Sequence, residues 1–406
     1  MKIKNCRNCK NTELFDLFSL GKISFTGRFP NTIRQNVPKA YLNVLMCKKC
    51  KLVQLDRNFD LNYLYGKSYG YRTGINKTMT DHVKKIVRKC SALVKLKSKQ
   101  YVLDIGSNDA TLLNFYPNDI IKVGVDPLVN KYKKFYKKIN YKISNFFKIK
   151  DIEKIKIKKK FKIISALSVF YDLRDPNKFI KEIKKILDDK GVFVLEHVDL
   201  YYIIKNNIFD TICHEHLVFY SSKIIIEMMK NNGLKVFNHE YNEINGGSSR
   251  YYICHSKTNF KVSKNIKKVL LRENLQGIEL KKTYKLFFTK ILNEKIKLIK
   301  LIKKIKNEKQ DIHGYGASTK GNVLLQFYNI NNKVVNYIAD RNPLKWNSFT
   351  PGTRIKIISE SQSRKIKPHF YLVLPWHFKN EILIREKNIR KKGTKFIFPL
   401  PKVRVV

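Results

Sequence analysis

The sequence predicts an α/β protein, in which a doubly wound parallel sheet occupies the middle of the chain and a smaller domain lies on either side. The main observation is residues 101–109, where an apolar strand runs into Asp104 and a tight turn follows at Gly106. Residues 112–113 then begin an apolar helical pattern, so strand, glycine turn and helix follow in the order that opens a doubly wound sheet. A shorter unit of this kind lies at residues 312–340, and two C-x-x-C pairs mark the N-terminal domain.

The turn after the first strand favours a ligand without phosphate. The glycines that phosphate loops require are absent around Gly106, although Gly106 itself allows the backbone to approach a ligand closely. The next strand ends at Asp126, where a carboxylate can accept both hydroxyls of a ribose. Together with Asp104, this pattern suits a cationic nucleoside such as S-adenosylmethionine and predicts a methyltransferase sheet. An ordinary buried strand and turn is the alternative.

Further polar and aromatic residues are expected at the same edge of the sheet. The third, fourth and fifth strands are predicted to end near residues 145–147, 170 and 197. Ligands of open α/β sheets lie at the carboxyl ends of the strands. The predicted edge therefore adds Phe146, Ser168 and Tyr171 to the two carboxylates.

Composition limits the function classes. The chain has 406 residues, which allows two or three domains, and 43% of them are hydrophobic. No run of about 18 uncharged apolar residues occurs and no signal-peptide pattern follows Met1, so we expect a cytoplasmic protein without a membrane partner. The formal charge of +51 comes mainly from lysines spread along the whole chain. We therefore do not expect a nucleic-acid partner, whereas the positive field suits a small anionic substrate.

The seven cysteines divide into two pairs and three isolated residues. Cys6/Cys9 and Cys47/Cys50 have the C-x-x-C spacing that places two thiolates on each turn of a zinc ribbon. The interval between the pairs exceeds the ~15–20 residues of a short ribbon, which indicates an inserted segment. Four sulfur ligands leave no position for water, so the predicted zinc is structural. Four free thiols are the alternative, and the odd total argues against a disulfide framework.

The segment after the cysteines is rich in tyrosine. Tyr63, Tyr65, Tyr69 and Tyr71 lie close together and are separated by glycines. This pattern favours a loop that closes over a ligand, because tyrosine supplies a ring for packing and a hydroxyl for hydrogen bonding. An amphipathic surface loop is the alternative. A helix is predicted to begin near Met79.

The densest chemical cluster is Cys213-His214-Glu215-His216. If this segment is extended, both imidazoles lie on one side, with Cys213 and Glu215 on the other. The i,i+4 spacing of a zinc protease is absent and no third ligand is obvious nearby. A catalytic base with an orienting partner is favoured, because the pKa of histidine is near neutral and a neighbouring carboxylate can fix its tautomer. A solvated loop is the alternative.

Two glycine turns follow in the second half of the chain. The first, Asn245-Gly246-Gly-Ser248, allows close backbone approach and offers amide and hydroxyl groups to a sugar, and a plain hairpin turn is the alternative. The second turn begins the unit at 312–322, where Lys320 lies at a helix N-terminus that can hold phosphate. A helix cap with a solvated lysine is the alternative there.

These patterns divide the chain into five parts. Residues 262–309 are rich in lysine, leucine and isoleucine and predict connecting helices, with an interruption at Gly277. The expected parts are a zinc-binding domain at 1–62, an aromatic covering segment at 63–82, a methyltransferase domain at 83–256, a helical connector at 257–310 and a C-terminal Rossmann-like domain at 311–406.

Several short motifs occur in one order along nearly the full length of the chain. They are Cys6/Cys9/Cys47/Cys50, YGYRTG at 69–74, DIGSND at 104–109, CHEH at 213–216, NGGS at 245–248, GASTKG at 316–321 and PLP at 399–401. This combination resembles the three-domain sugar C-methyltransferases that act on nucleotide-linked 4-keto-deoxysugars. The combination is specific, although no single motif is.

The resemblance implies a class I methyltransferase sheet that binds S-adenosylmethionine, a structural zinc in the first domain, and a last domain that helps to hold the nucleotide-sugar. It also implies that His216 is the base that removes the proton next to the ketone, with Glu215 beside it. The expected site residues are His216, Glu215 and Tyr71 for catalysis; Asp104, Gly106, Asn108, Asp126, Phe146 and Ser168 for S-adenosylmethionine; and Tyr69, Tyr171, Cys213, His214, Asn245, Gly246, Ser248 and Lys320 for the substrate.

Three positions depart from the pattern of that family. Many members have tyrosine in place of Cys213, a histidine-containing segment in place of Tyr171-Asp172, and, in some, histidine in place of Asn245. All three lie in or near the expected substrate pocket. O- or N-methylation of a related sugar is therefore one alternative. A second alternative, from a different class of function, is a basic zinc-containing nucleic-acid-binding protein or RNA methyltransferase. The expected state is a monomer or small homo-oligomer that serves deoxysugar biosynthesis.

Overall fold

The computed structural model describes residues 1–65, 69–155, 157 and 159–406, and these residues form three β-sheets with helices packed around them. Within the covering segment predicted at 63–82, residues 66–68 lie outside this description. No described helix combines the length and the hydropathy that crossing a bilayer requires. One hydrophobic core extends through all three sheets.

The N-terminal sheet contains a strand from a distant part of the chain. Its order is β1-β2-β3-β9, and all its pairings are antiparallel. Residues 217–219 pair with β3, so this sheet is completed by the segment that directly follows His216. Its strands are β1 (Leu14–Ser24), β2 (Lys39–Cys47), β3 (Val53–Leu55) and β9 (Val218–Phe219). The short helix α1 (Leu61–Leu64) follows β3 in the chain.

The central sheet is doubly wound, as predicted. Its order is β10-β11-β8-β7-β4-β5-β6, in which β8 to β6 are parallel and β10 and β11 form an antiparallel pair at one edge. The nearly continuous burial of β4, β7 and β8 reflects coverage of both faces. The strands are β4 (Tyr101–Ile105), β5 (Ile121–Val125), β6 (Tyr141–Ile143), β7 (Phe161–Leu167), β8 (Leu187–Val198), β10 (Leu234–Asn242) and β11 (Ser248–His255).

Short amphipathic helices cover this sheet. The longest begins after Asn76, whose side chain accepts a hydrogen bond from the Met79 amide, and it buries Val83, Ile86 and Val87. The next long helix begins with Asp175 as its cap and Pro176 in its first turn. The helices are α2 (Lys77–Leu93), α3 (Ile149–Lys154), α4 (Pro176–Ile186), α5 (Leu200–Lys205) and α6 (Ser222–Asn231).

The helix predicted after the first strand of this sheet is absent from the described structure. A single 3-10 turn, Leu113–Phe115, takes its place. Asn108 and Ala110 have positive φ angles of 48° and 58°, which interrupt a right-handed helix at its start. Pro117 then prevents extension beyond the turn. The two leucines at 112–113 are buried in the core, but they lie on a turn. The prediction that their apolar pattern starts a helix is therefore wrong.

Two helices connect the central sheet to the C-terminal unit. They are α7 (Lys264–Gln276) and α8 (Lys281–Asn307), and Gly277 between them adopts the left-handed conformation of a C-cap, which confirms the predicted interruption. The second helix packs on the N-terminal sheet, where the rings of Phe287 and Phe288 lie 5.7 and 5.3 Å from that of Phe18.

The C-terminal sheet repeats the α/β arrangement on a smaller scale. Its order is β14-β13-β12-β15-β16-β17, parallel except for the last pairing. Its strands are β12 (Ile312–Tyr315), β13 (Tyr337–Asp340), β14 (Lys356–Ser359), β15 (Phe370–Val373), β16 (Lys395–Phe398) and β17 (Arg404–Val405); its helices are α9 (Thr319–Phe327), α10 (Glu360–Ile366), α11 (Lys379–Arg385) and α12 (Lys387–Lys391).

Candidate active site

The four paired cysteines come together at one end of the N-terminal sheet. All four sulfur atoms lie within 4.8 Å of one another, with Cys6 Sγ 3.6 Å from Cys50 Sγ and Cys9 Sγ 3.5 Å from Cys47 Sγ. Tetrahedral zinc with Zn–S bonds of about 2.3 Å requires sulfur atoms about 3.8 Å apart. These four residues therefore fit a zinc ion, and no ligand position is left for water or a substrate.

A cavity of about 600 Å³ lies between the central and C-terminal sheets, at the carboxyl ends of their strands. This is the edge at which the sequence places the ligand site. The following predicted site residues line the cavity: Tyr69, Tyr71, Asp104, Gly106, Asn108, Asp126, Phe146, Ser168, Tyr171, Cys213, Glu215, His216, Asn245 and Lys320.

Two carboxyl groups form the floor of the half of the cavity that belongs to the central sheet. Asp126 follows β5 and accepts hydrogen bonds from the backbone amides of Asn108 at 2.9 Å and Leu128 at 2.7 Å. Asp104 accepts a 2.6 Å hydrogen bond from the Ser165 hydroxyl, and burial raises the pKa of Asp104 to about 7. A bound cation would favour the ionised form of this buried carboxyl.

Gly106 lies where a side chain has no room. Its φ of +75° is a left-handed conformation that favours glycine, and a side chain there would come within 2.3 Å of Val169 Cγ2, which also lines the cavity. The glycine thus permits close packing of the turn on the segment after β7. It still lines the cavity with its backbone.

The covering segment is hydrogen-bonded to the turn after β4. The Asn108 side chain accepts a hydrogen bond from the Thr73 amide at 2.9 Å and donates one to the Tyr71 carbonyl at 3.3 Å. Arg72 forms a 3.2 Å ion pair with buried Asp109. These contacts close one side of the cavity, with the Tyr71 side chain at its mouth and 45% exposed.

His216 has a defined tautomer. Its Nδ1 lies 2.7 Å from the Thr211 carbonyl oxygen, which can only accept, so Nδ1 carries the proton and Nε2 keeps a lone pair. Burial and the charge of Lys320 lower the pKa of His216 to about 3, so the ring is neutral. The sequence predicted a carboxylate as the orienting group, whereas the structure places a backbone carbonyl there.

Two buried carboxyl groups face the same cavity. Asp172 accepts a 2.6 Å hydrogen bond from the Tyr65 hydroxyl through Oδ2, and Glu215 lies 3.4 Å from Thr26 Oγ1 through Oε2. The second oxygen of each group has no hydrogen-bond partner among the described residues. Burial raises the pKa of both groups, so a proton on either one would make it a donor toward a ligand.

The predicted position of His214 in the substrate pocket is wrong. Residues 213–216 form a turn, closed by a 3.2 Å hydrogen bond from the His216 amide to the Cys213 carbonyl, instead of an extended strand. The turn directs His214 away from the cavity, where its ring packs against Phe25 and Phe59. Cys213, Glu215 and His216 line the cavity together.

Two of the three residues predicted in the turn at 245–248 also lie outside the cavity wall. A side chain at Gly246 would come within 2.5 Å of Trp376, which packs behind the turn. The Ser248 hydroxyl donates to the Ile244 carbonyl at 2.9 Å and so is used within the turn. Asn245 does line the cavity, and its carbonyl accepts a 3.0 Å hydrogen bond from Lys320 Nζ.

Several cavity residues were missed by sequence reasoning. Lys345 donates to the Ala317 carbonyl at 2.6 Å and lies 3.6 Å from Asp340, and no motif singles it out. His377 lines the cavity, and its Nδ1 has no hydrogen-bond partner in the part of the chain that the structure describes. Burial and the charge of Lys320 hold the pKa of His377 well below its usual range.

Three family models match successive parts of the chain. Residues 6–65 match a zinc binding domain, residues 75–239 match a methyltransferase domain, and residues 243–401 match the C-methyltransferase C-terminal domain. Together these matches show an S-adenosylmethionine-dependent C-methyltransferase. A curated relative, the C-methyltransferase NovU of Streptomyces niveus, is 27% identical over 367 residues, which span 90% of this chain and 87% of NovU.

Solved structures similar to this C-methyltransferase align with less than half of it. An S-adenosylmethionine-dependent methyltransferase from Clostridium acetobutylicum is 14% identical, with a TM-score of 0.35, over 43% of this chain and 92% of that one. Magnesium protoporphyrin IX methyltransferase from Synechocystis is 11% identical, with a TM-score of 0.33, over 45% of this chain and 88% of that one.

The cavity of this C-methyltransferase suits its methyl donor. When bound, S-adenosylmethionine supplies an electrophilic methyl group. Asp126 would accept the ribose hydroxyls, the ring of Phe146 would pack on the nucleoside, and Asp104 would face its positive charge. These three residues line one cavity, and the turn after β4 lacks the glycines of a phosphate loop, which together support this assignment.

Proposed function

We propose that the protein transfers a methyl group to a carbon next to the ketone of a nucleotide-linked keto-deoxysugar. The observation that carries this proposal is the environment of His216. Its Nδ1 proton is held by the Thr211 carbonyl, its Nε2 lone pair is available, and it shares one cavity with the residues assigned to S-adenosylmethionine. A carbon nucleophile requires such a base, because the C–H bond next to a ketone must be broken first.

In the proposed reaction, His216 Nε2 accepts the proton from the carbon next to the ketone. The C–H electron pair then forms an enolate. Its carbon would form a bond to the donor methyl group as the bond between that methyl group and the sulfonium sulfur breaks, which leaves the neutral sulfide S-adenosylhomocysteine. The resulting imidazolium keeps its hydrogen bond from Nδ1–H to the Thr211 carbonyl. The negative charge of the enolate offsets the free-energy cost of a positively charged imidazolium in the buried site. Glu215 or Asp172, in the neutral form that burial favours, would donate a hydrogen bond to the enolate oxygen.

The C-terminal half of the cavity offers cations for an anionic nucleotide. Lys320, Arg341, Lys345 and Arg385 all line it. Lys320 lies in the first turn of α9, where backbone amide groups also favour a phosphate. These features support a nucleotide-linked substrate whose sugar lies near His216 and whose phosphates lie toward the C-terminal sheet.

The domain boundaries and the cellular location belong to the same proposal. We place the zinc-binding domain at 1–62, the covering segment at 63–82, the methyltransferase domain at 83–256, the connector at 257–310 and the Rossmann-like domain at 311–406. We also propose a cytoplasmic location and a role in surface-glycan or secondary-metabolite synthesis, in keeping with the small anionic substrate that the cations of the cavity would accept.

The decisive experiment uses deuterated water. The protein is incubated with S-adenosylmethionine carrying a labelled methyl group and with a panel of nucleotide-linked 4-keto sugars, and the products are analysed by mass spectrometry and NMR. We expect methyl transfer to carbon and, with S-adenosylhomocysteine in place of the donor, deuterium exchange at the same carbon. Methylation confined to oxygen or nitrogen would refute the proposal.

The base is tested by His216→Ala. We expect transfer and exchange to fall by about 10²–10⁴-fold while calorimetry shows S-adenosylmethionine binding unchanged. His369→Ala is the matched control, because His369 is exposed and lies in the C-terminal domain away from the cavity. Full turnover by the His216 variant would show that another group removes the proton.

A further inference from the structure

The zinc-binding end of the N-terminal sheet is linked to the catalytic turn by consecutive hydrogen bonds. β9 begins two residues after His216 and pairs with β3, in the register Val53 to Phe219 and Gln54 to Val218. β3 in turn pairs with β2, which ends at the zinc ligand Cys47. The segment that carries the base therefore forms the last strand of the zinc-domain sheet.

Arg7 makes the link more direct. It lies between the ligands Cys6 and Cys9, its side chain is only 3% exposed, and its guanidinium extends away from the cysteines along β3. It donates to the Leu55 carbonyl at 2.7 Å, the Gln54 side-chain carbonyl at 3.1 Å and the Arg57 carbonyl at 2.8 Å. A single side chain thus fixes the backbone of β3 and the residues that follow it.

The next bonds reach the active site. The Leu55 amide donates to the Leu217 carbonyl at 2.9 Å, and the Leu217 amide donates to the Tyr171 carbonyl at 2.8 Å. Leu217 directly follows His216, and the Tyr171 ring packs on the His216 imidazole with centroids 4.0 Å apart. Both backbone groups of Leu217 are therefore engaged, one toward the zinc domain and one toward the residue that packs on the base.

The N-terminal domain also contacts the two residues that precede His216 in the 213–216 turn. The His214 ring lies 4.6 Å from the Phe25 ring and 5.0 Å from the Phe59 ring, and its Nε2 lies 3.4 Å from the Ala40 carbonyl. Glu215 contacts Thr26 of the same domain. The turn that supplies Glu215 and His216 is thus anchored to the N-terminal domain before and after the base.

From these contacts we infer that Arg7 is a positioning residue for His216, and that it transmits the geometry of the four-cysteine site to the base through Leu55 and Leu217. A zinc ion bound by the four cysteines would hold Cys6 and Cys9 on one turn and would thereby fix where the Arg7 side chain begins. Loss of this relay lets the 213–219 segment move while the edge that binds S-adenosylmethionine, built on β4 and β5, stays in place.

Arg7→Met tests the relay, because methionine keeps the apolar stem but donates no hydrogen bond. The full-length protein is measured for zinc content, for S-adenosylmethionine affinity and for amide hydrogen exchange. We expect one zinc per chain and unchanged affinity, with exchange of the Leu55 and Leu217 amides faster by about tenfold, the change that a lost hydrogen bond causes in a local opening equilibrium. Exchange within β4 and β5 should stay as in the wild type.

Activity provides a second readout, which rests on the proposed function. We expect kcat to fall by up to about 100-fold with KM nearly unchanged, because the base is displaced while the binding surfaces remain. Arg7→Lys should recover part of the loss, since one ammonium group can still reach the Leu55 carbonyl. The exchange result does not depend on the substrate, so it stands even if the sugar assignment fails.

Arg57→Lys is the matched control. Arg57 lies in the same domain and forms a largely buried ion pair with Asp56, and its side chain takes no part in the relay. The inference is overturned if a zinc-loaded Arg7→Met protein shows wild-type exchange at Leu217. If Arg7→Met fails to retain zinc, the same comparison is made with Arg7→Gln, whose polar side chain is too short to reach the Leu55 carbonyl, and wild-type exchange at Leu217 in that zinc-loaded variant overturns the inference equally.

Discussion

The ring of Tyr171 packs on the imidazole of His216 with centroids 4.0 Å apart and planes inclined by 46°. Among the described residues, the side-chain hydrogen bonds of His216 are made through Nδ1, so the contact with Tyr171 further restricts rotation of the ring. We expect Tyr171→Leu to lower kcat by about tenfold or more through loss of orientation, and Tyr171→Phe to retain most of it. Steady-state kinetics of the two variants check this, and equal losses in both would instead assign a role to the hydroxyl.

The raised pKa of Asp104 predicts a pH-dependent affinity. Burial raises the pKa of Asp104 to about 7, so the free carboxyl takes up a proton as the pH falls below that value. A cationic ligand binds the ionised form, so S-adenosylmethionine affinity should be constant above about pH 8 and fall toward tenfold per pH unit below 7. Calorimetry from pH 5.5 to 8.5 measures this. Asp104→Asn should bind more weakly and show no such slope near pH 7.

The raised pKa of Asp104 also predicts that the free energy of unfolding depends on pH. The folded-state pKa of Asp104 lies above its unfolded value of 3.8, so below pH 3.8 both states are protonated. Between pH 3.8 and about pH 7, Asp104 is ionised in the unfolded state but still protonated in the folded state. The free energy of unfolding therefore falls as the pH rises through this range, by up to about 1.4 kcal/mol per pH unit. Asp104→Asn removes this loss. Urea unfolding of the ligand-free protein should show a larger stability gain for the variant at pH 8 than at pH 5, and a pH-independent difference would contradict it.

Lys320 should control the protonation of His216. Its positive charge adds to burial in lowering the pKa of His216 to about 3. We expect Lys320→Met to raise that pKa while burial still keeps it below 6.5, as followed by NMR titration of the imidazole signals. Lys297→Met is the control, since Lys297 lies on the exposed side of α8 and pairs with Glu294. An unchanged pKa of His216 in the Lys320→Met variant would show that the charge of Lys320 is screened too strongly to affect the imidazole.

The four-cysteine site should be a folding element. Cys47→Ser removes one of four ligands, and we expect it to lose the metal and destabilise the protein by several degrees in Tm, because metal binding is coupled to folding of such domains. Cys254→Ser is the control: Cys254 is equally buried but lies on β11, away from the cluster. Zinc analysis and calorimetric scans distinguish the two. Equal zinc content in both variants would show that Cys47 is not a ligand.

Local patterns in the sequence were enough to predict the sheet and its ligand edge. The apolar runs that end at Asp104 and Asp126 identify neighbouring parallel strands, because burial on both faces leaves no alternation and the carboxylates fall where the strands end. The cysteine pairs were equally informative, since two short spacings define a tetrahedral site. These signals come from residues close together in the chain.

The sequence could not show which side chains of a turn line the cavity and which contact residues elsewhere in the chain. His214 was placed in the pocket because alternation in an extended strand was assumed, whereas a turn directs it against Phe25 and Phe59, more than 150 residues earlier. Ser248 was assigned to the substrate although its hydroxyl closes its own turn. The orienting carbonyl of Thr211 carries no side-chain signal at all, because every residue has such a group.

The strand shared between residues 53–55 and 217–219 has a consequence for dissecting the protein. A fragment that starts at residue 63 contains every residue assigned to the methyl donor, yet it leaves 217–219 as an unpaired edge and exposes the apolar side of His214. Such edges recruit other chains. Truncation at the apparent sequence boundary would therefore yield an aggregating, inactive piece, and the first sixty residues must be co-expressed or retained for any engineered version.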